Sequence, residues 1–279
     1  MKKLYAVIGD PIAHSMSPTM HNDLFQFYGM DAHYHAFKVE KENLEAAVKG
    51  FKAIGVEGFN VTVPHKVNII PLLDEMDPLA GSIGAVNTVV NCNGKFIGYN
   101  TDGSGYLKGL STIMDIHDDL SVLIIGAGGA ARAIYFTMAH SGVHKIDITN
   151  RTVERADVLV KDCPYQVQSK VLTIPEAEAA LGEYDLIIQT TSIGMSPKIE
   201  FSPIGLQNLH AQAFVSDIIY NPLETNILQQ AKQKGARVQN GIDMFVFQGA
   251  LAFEKWTGIF PSTDRMKNTV LTQLGGIKC

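Results

Sequence analysis

The chain has 279 residues, 46% of them apolar and 18% charged, with 23 Lys plus Arg against 28 Asp plus Glu for a net charge of −5. That length suggests about two domains, the composition excludes a disordered chain, and the acidic balance excludes a chain-wide nucleic-acid surface. Cys92, Cys163 and Cys279 are too few and too scattered for a disulfide framework or a zinc knuckle, and they fit a reducing compartment.

Leu4 to Ile8 reads as a strand that breaks at Gly9-Asp10-Pro11. It is shorter than the ~7–15 apolar residues of a signal-peptide core, and no segment reaches the ~18 of a membrane span. The expectation is a soluble, cytoplasmic protein with no membrane partner. Ser17-Pro18 has the form of an N-cap followed by a first-turn proline, opening a helix that ends near Tyr28-Gly29. His33 to Val39 alternates as a strand, Asn43 to Ile54 has helical spacing, and Phe59 to Val63 is a short β-rich run. Pro64 is expected to open another helix. Asn93-Gly94 predicts a two-residue hairpin between Ala85–Val90 and Lys95–Tyr99. Counting outward from the turn, Cys92 faces Lys95 and Asn87 faces Asn100, so Asn87 and Thr101-Asp102 reach the same open end.

Leu120 to Ile125 is a continuous apolar strand of the kind buried in parallel sheets. A glycine cluster, a helix ending near Ser141-Gly142 and a strand at Lys145 to Thr149 follow. Alternation continues through Asp185 to Thr190 and Phe214 to Ile218, a doubly wound α/β pattern. Asp243 can cap a last helix to about Trp256. This helix is apolar nearly all round from Met244 to Phe253, so Gln248 is expected to be buried and in need of partners.

Gly126-Ala127-Gly128-Gly129-Ala130-Ala131-Arg132 lies between a strand and a helix. Glycines there permit a tight turn and the approach of backbone amides to a pyrophosphate at a helix N-terminus. The next strand ends at Asn150-Arg151-Thr152, where an NAD site offers an acid to the ribose. Here the tip is basic. Arg151 and Arg155, four apart, would share a helix face and could fork a 2′-phosphate, which favours NADP. Asp147 lies inside the strand rather than at its tip. Ser15 and Ser17 flank a helix start, where two hydroxyls suit a carboxylate. In the first turn of a helix, Lys66 would oppose the dipole at a cost of ~0.3–1 kcal/mol, and the same field would favour the neutral amine. Singly, Lys66 is explained as an exposed lysine and Asp102 as a helix cap. Together with Asn60, Thr62 and Asn87 they gather at predicted strand ends, where α/β sites collect. His33, His35, His140 and His144 lack the spacing of a metal site, and no metal is assigned.

The chain resembles the shikimate dehydrogenase family over nearly its whole length. The resemblance is carried by an ordered series: His14-Ser15-Met16-Ser17-Pro18 with His21-Asn22, Gly58 through Lys66, Gly84 through Val89, and Gly98 through Gly103. The glycine loop, Asn150-Arg151-Thr152, and Asn240-Gly241 with Gln248-Gly249-Ala250 complete it. It implies an NADPH-dependent reduction of 3-dehydroshikimate to shikimate in aromatic amino-acid biosynthesis. Ser15 and Ser17 would bind the substrate carboxylate, with Tyr220 nearby. Asn60, Thr62, Asn87, Asp102 and Gln248 would hold ring hydroxyls, and Lys66 and Asp102 would form the catalytic pair. Coenzyme contacts would come from Gly126, Ala127, Gly128, Gly129, Ala130, Arg132, Asn150, Arg151, Thr152, Arg155, Thr190, Thr191 and Gly241, with Met244 by the nicotinamide. Gln189 stands where the family pattern has Asn.

The implied architecture is an N-terminal α/β substrate domain (1–103), a doubly wound Rossmann-type NADP domain (104–242) with a cleft between them, and C-terminal helices (243–279) returning to the first domain. The implied protein is a monomer or homodimer acting on a small molecule. An NAD-dependent quinate/shikimate dehydrogenase is the nearest alternative, opposed by Arg151 and Arg155. A silent ligand sensor on the same fold would be marked by loss of Lys66 or Asp102, and both are present. A binding module without chemistry leaves Ser15, Ser17 and Gln248 unexplained.

Overall fold

A computed structural model describes residues 2–275. The chain divides into two units, Met1–Gly105 with Val246–Cys279, and Tyr106–Phe245. Cys279 and the last residues of the 243–279 segment lie outside the described residues.

The first unit runs β1 (Lys3–Gly9), α1 (Ser17–Phe27), β2 (Ala32–Lys38), α2 (Leu44–Ala53), β3 (Gly58–Val61), β4 (Glu75–Met76), α3 (Pro78–Ile83), β5 (Thr88–Cys92), β6 (Lys95–Tyr99) and the start of α4 (Asp102–Leu110). Its six-stranded sheet has the order β2-β1-β3-β5-β6-β4. Pairing is parallel across β2-β1-β3 and antiparallel across β3-β5-β6. Alternate residues of the strands, among them Ala6, Ile8, Phe59, Val61 and Phe96, pack with Val48 and Phe51 of α2 in one core. Asn93 (φ 55°) and Gly94 (φ 86°) supply the two positive φ values of a type I′ turn. That turn sets Cys92 opposite Lys95 and Thr88 opposite Tyr99. The same register carries Asn87 toward Thr101 and Asp102.

On the outer side of β2, Asn22 of α1 takes the place of a neighbouring strand. Its amide donates to the carbonyl of Tyr34 at 2.9 Å and accepts the Tyr34 N–H at 2.9 Å. Both main-chain groups are thereby satisfied and the strand edge is blunted.

The second unit contains the rest of α4, then β7 (Ser121–Ile125), α5 (Gly129–His140), β8 (Lys145–Thr149), α6 (Val153–Lys161), β9 (Val171–Leu172), α7 (Ile174–Ala180), β10 (Leu186–Gln189), β11 (Phe214–Asp217), α8 (Asn226–Gln233), β12 (Arg237–Gln239) and the start of α9 (Ile242–Thr257). The remainder of α9 and α10 (Thr263–Gln273) belong to the first unit. All six strands are parallel in the order β12-β11-β10-β7-β8-β9. Val122, Leu123 and Ile124 are fully buried, at about 1.5–3 kcal/mol for each such side chain. The strand order reverses between β7 and β10, and in such sheets ligands bind beyond the carboxyl ends of the strands flanking that point.

Several local expectations are corrected. No helix follows Pro64: residues 62–69 form turns and a short 3-10 segment begins at Ile70. Main-chain bonds within the segment, His65 N–H to Thr62 and Ile69 N–H to His65, close single turns that do not propagate. Lys66 therefore feels no helix dipole. Ser17 is not an N-cap but the first residue of α1, and its own N–H donates to Ser15 Oγ at 3.3 Å. Asp102 already lies within α4, its carboxylate drawn to side chains rather than to the helix end. Arg151 precedes α6, whose N-cap is Thr152, so it shares no helix face with Arg155. Asp243 lies within α9 and accepts from Gln239 Nε2 at 3.1 Å, while Asn240 Oδ1 takes the Ile242 N–H. Val246, Phe247, Ala250 and Phe253 of that helix are buried, but Gln248 is partly exposed.

Candidate active site

In the first unit, the open end of the β5–β6 hairpin brings polar side chains into one continuous network. Lys66 Nζ donates to Asp102 Oδ2 at 2.6 Å, and the pair is half-buried, with side-chain exposures of 29% and 12%. Asn87 Nδ2 donates to Asp102 Oδ1 at 2.8 Å, and Asn87 Oδ1 accepts the Thr101 N–H at 2.7 Å. Asp102 therefore has one oxygen held by a neutral amide and the other by the ammonium, which leaves little rotational freedom.

The segment bearing Lys66 is pinned at both ends. The buried His65 ring places Nε2 2.6 Å from the Val39 carbonyl, and the Val86 N–H donates to the Lys66 carbonyl at 2.8 Å. Asn60 closes the other side of the network: its Nδ2 donates to the Asn87 carbonyl and to Thr88 Oγ1, both at 3.1 Å. Thr62, next on that side, lies against Gly9, where a Cβ would stand 2.4 Å from its methyl. Gly105 is required for a similar reason, since a Cβ there would meet the main chain of Gln248 at 2.5 Å.

The network contains a member that sequence reading did not single out. The Tyr34 hydroxyl donates to Asn60 Oδ1 at 2.7 Å, and the residue is 1% exposed. Burial pushes its phenol well above the ordinary range, and Ser17 lies close enough to act in the opposite direction. The signal was present in β2: Ala32, Tyr34 and Ala36 share a strand face, and an inward tyrosine needs a partner for its hydroxyl. Thr88, also not singled out, accepts from Asn60 and donates to Asn87 Oδ1 at 3.0 Å.

In the second unit, Gly126 follows β7 at φ 118°, and a Cβ on it would meet Thr190 Oγ1 at 2.5 Å. Gly128 is the N-cap of α5, and a Cβ at Gly128 or Gly129 would meet no atom within 4 Å. Open space therefore lies over this turn and over the amides that a helix leaves unpaired in its first turn. Thr190 Oγ1 donates to the Ile125 carbonyl at 2.7 Å, tying the ends of β7 and β10 together.

Gln189 is fully buried and fastens the following loop with three bonds, accepting the Thr191 N–H and donating to the Thr191 and Ile193 carbonyls. The residue that departs from the family pattern thus organises the segment bearing Thr190 and Thr191. Gly241 sits where a Cβ would stand 2.0 Å from the Ile218 carbonyl. Tyr220 packs on Phe245 with ring centroids 5.0 Å apart, its phenol raised by burial.

At the tip of β8, Asn150 Nδ2 donates to the Thr152 carbonyl, and both Arg151 and Arg155 are exposed. Among the described residues no ion pair holds either guanidinium. Arg132 differs: it pairs with Asp162 at 2.9 Å and lies over the Phe136 ring. Asp147 is buried and consumed by the Tyr184 hydroxyl and the Lys170 N–H, both at 2.7 Å, so it is not a ribose acceptor. A glycine turn with open space above it, an unpaired basic tip and an occupied strand carboxylate fit a 2′-phosphorylated dinucleotide.

With this geometry in place, comparison with known proteins decides the family. Residues 7–89 match the shikimate dehydrogenase substrate binding domain, residues 110–217 match shikimate / quinate 5-dehydrogenase, and residues 241–271 match the shikimate 5'-dehydrogenase C-terminal domain. The chain belongs to the shikimate dehydrogenase family. It is 56% identical to a shikimate dehydrogenase (NADP(+)) of Bacillus cereus, over 99% of this chain and 100% of the relative. Among solved structures it resembles the Listeria monocytogenes shikimate 5-dehydrogenase in complex with shikimate and NAD, with a TM-score of 0.92, 36% identity and 96% of each chain covered. It also resembles the Thermus thermophilus shikimate 5-dehydrogenase in complex with NADP(H) and shikimate, with a TM-score of 0.87 and 33% identity, over 97% of this chain and 99% of the other. Among the described residues no helix is long and apolar enough to cross a membrane.

Proposed function

We propose that this shikimate dehydrogenase family member catalyses the reversible, NADPH-dependent reduction of 3-dehydroshikimate to shikimate in aromatic amino-acid biosynthesis, with Lys66 and Asp102 as its acid–base pair. The observation that carries the chemistry is the 2.6 Å contact between them. It supplies a cationic proton donor held in place by a carboxylate that is itself fixed by Asn87.

Ser15, Ser17, Asn60, Thr62, Asn87 and Gln248 offer hydroxyls and amides and no arginine, which suits a small polyhydroxy carboxylate better than a phosphorylated sugar. Ser15 and Ser17 take the carboxylate, and the amides and Thr62 take the ring hydroxyls. Lys66 gives its proton to the carbonyl oxygen in reduction and recovers it from the hydroxyl in oxidation, while Asp102 keeps the amine aimed. When bound, the coenzyme supplies the hydride. Gly126, Ala127, Gly128, Gly129 and Ala130 would cradle its pyrophosphate. Asn150, Arg151, Thr152 and Arg155, with Arg132, would hold the 2′-phosphate end, and Thr190, Thr191, Gly241 and Met244 would complete its contacts. The reading places the protein in the cytoplasm, as a monomer or homodimer.

Initial rates with shikimate and quinate, each with NADP and NAD, test this reading. NADP-linked oxidation of shikimate is expected to be fastest. Its absence overturns the assignment, and a preference for NAD favours the quinate/shikimate alternative.

A further inference from the structure

The polar side chains from Tyr34 to Asp102 form one connected chain of donors and acceptors. The Asn87 main-chain carbonyl can only accept, so the Asn60 Nδ2 that lies 3.1 Å from it must donate, and Asn60 Oδ1 must face Tyr34. A neutral phenol has one proton, and that proton is spent on Asn60. Asn60 Nδ2 also donates to Thr88 Oγ1, whose oxygen lies 3.0 Å from Asn87 Oδ1 and 3.1 Å from Thr101 Oγ1. Asn87 is left with Nδ2 facing Asp102 Oδ1, and Lys66 holds the other oxygen. The relay is therefore Tyr34, Asn60, Thr88, Asn87, Asp102. The phenol gives its one proton at one end, and a carboxylate that only accepts closes the other.

Tyr34 is built to hold still. Asn22 holds both its N–H and its C=O, the buried His21 ring stacks on its face at 4.6 Å and 23°, and the Trp256 ring centroid lies 6.0 Å away. Its hydroxyl is aimed at the Asn60 amide.

We propose that Tyr34 is a positioning residue for the substrate site, its hydroxyl holding Asn60 Oδ1 while the Asn87 carbonyl holds Nδ2, so that the Asn60 amide is anchored at both ends. The proposal rests on the reading that Asn60 and Asn87 face the substrate. Without the hydroxyl, Asn60 Oδ1 loses its partner and the amide is held through Nδ2 alone, by the Asn87 carbonyl and Thr88 Oγ1, so its position against the substrate loosens.

The test is a cycle of Tyr34→Phe, Asn60→Ala and the double variant, with KM and kcat measured for shikimate and KM for NADP. Tyr34→Phe keeps the ring and its stack on His21. It is expected to raise KM for shikimate about tenfold, with a smaller fall in kcat and no change in KM for NADP. In the Asn60→Ala background the tyrosine substitution is expected to have no further effect, because its partner is gone. An unchanged KM for shikimate in Tyr34→Phe, or fully additive effects in the double variant, overturns the proposal. If Asn60→Ala itself leaves KM for shikimate unchanged, the substrate reading of Asn60 fails instead. Thr88→Val cuts the same relay one step further on. It decides the matter if Tyr34→Phe does not fold: a several-fold rise in KM for shikimate supports the relay, and an unchanged value overturns it.

Discussion

Lys66 and Asp102 are 36 residues apart in the chain and 2.6 Å apart in space, joined through Nζ and Oδ2. Because Asn87 restrains the other carboxylate oxygen, the ammonium is held in one place without being deeply buried. That is the arrangement a proton donor needs if it is to meet a carbonyl oxygen and return to the same position.

Lys66→Ala is expected to lower turnover by ~10²–10⁴ while substrate affinity changes little, because the lost group acts on the transition state more than on the bound ground state. Steady-state kcat together with a direct shikimate titration checks this. Wild-type turnover in the variant would remove Lys66 from the mechanism.

Arg151 is expected to distinguish coenzymes. A hydrogen bond to a charged group is worth about 1.5–3 kcal/mol, so Arg151→Ala is expected to weaken NADP by about tenfold or more and to leave NAD nearly untouched. Parallel titrations with the two coenzymes measure the ratio, and equal losses count against a 2′-phosphate role.

His21 sets an acid limit on stability. Both ring nitrogens are buried without a hydrogen-bond partner, and burial lowers its pKa from the ordinary 6.5 to about 3. Between these values the unfolded chain binds a proton that the folded chain refuses. The contribution is thus complete above about pH 6.5 and is lost by about 1.4 kcal/mol per pH unit as pH falls toward 3. His21→Phe keeps a ring against Tyr34 and removes the titration. Urea melts at several pH values are expected to show the variant gaining on the wild type as pH falls through this window, and a pH-independent difference would refute the assignment.

Asp217 works with the opposite sign. Burial raises its pKa from 3.8 to about 6, against the Thr225 hydroxyl at 2.6 Å and the Ile219 N–H at 2.9 Å, both of which favour the carboxylate. The folded chain keeps a proton that the unfolded chain releases, so this contribution is complete below pH 3.8 and is lost as pH rises through 6. Asp217→Asn is expected to gain stability relative to the wild type across that rise, at about 1.4 kcal/mol per pH unit. The same melts, read as a difference, check it.

How far the sequence could be read depended on the range of the interaction. The hairpin register followed from Asn93-Gly94 because positive φ at two consecutive residues is a local property. The turn after β7 followed from glycines whose neighbours in the chain already announce a strand and a helix. The helix expected after Pro64 failed because proline at a first helical position is compatible with a helix but does not require one. Gln189 looked like a doubtful substitution, yet its three bonds to the loop it precedes show a longer amide serving as that loop's brace.

By itself the sequence determined the strand and helix periodicities, the Rossmann-type unit, the tight turns and the residue types available for acid–base work. These depend on φ, ψ and on side chains a few positions apart. Only the tertiary structure decided that Asp147 is consumed by Tyr184, that Lys66 stands on a turn pinned by His65, and that Tyr34 reaches Asn60 across the sheet. Those facts arise where elements distant in sequence are packed together, as β2 and β3 are on either side of β1. There a buried hydroxyl or amide takes whichever partner the packing brings within reach, and no local pattern encodes that choice.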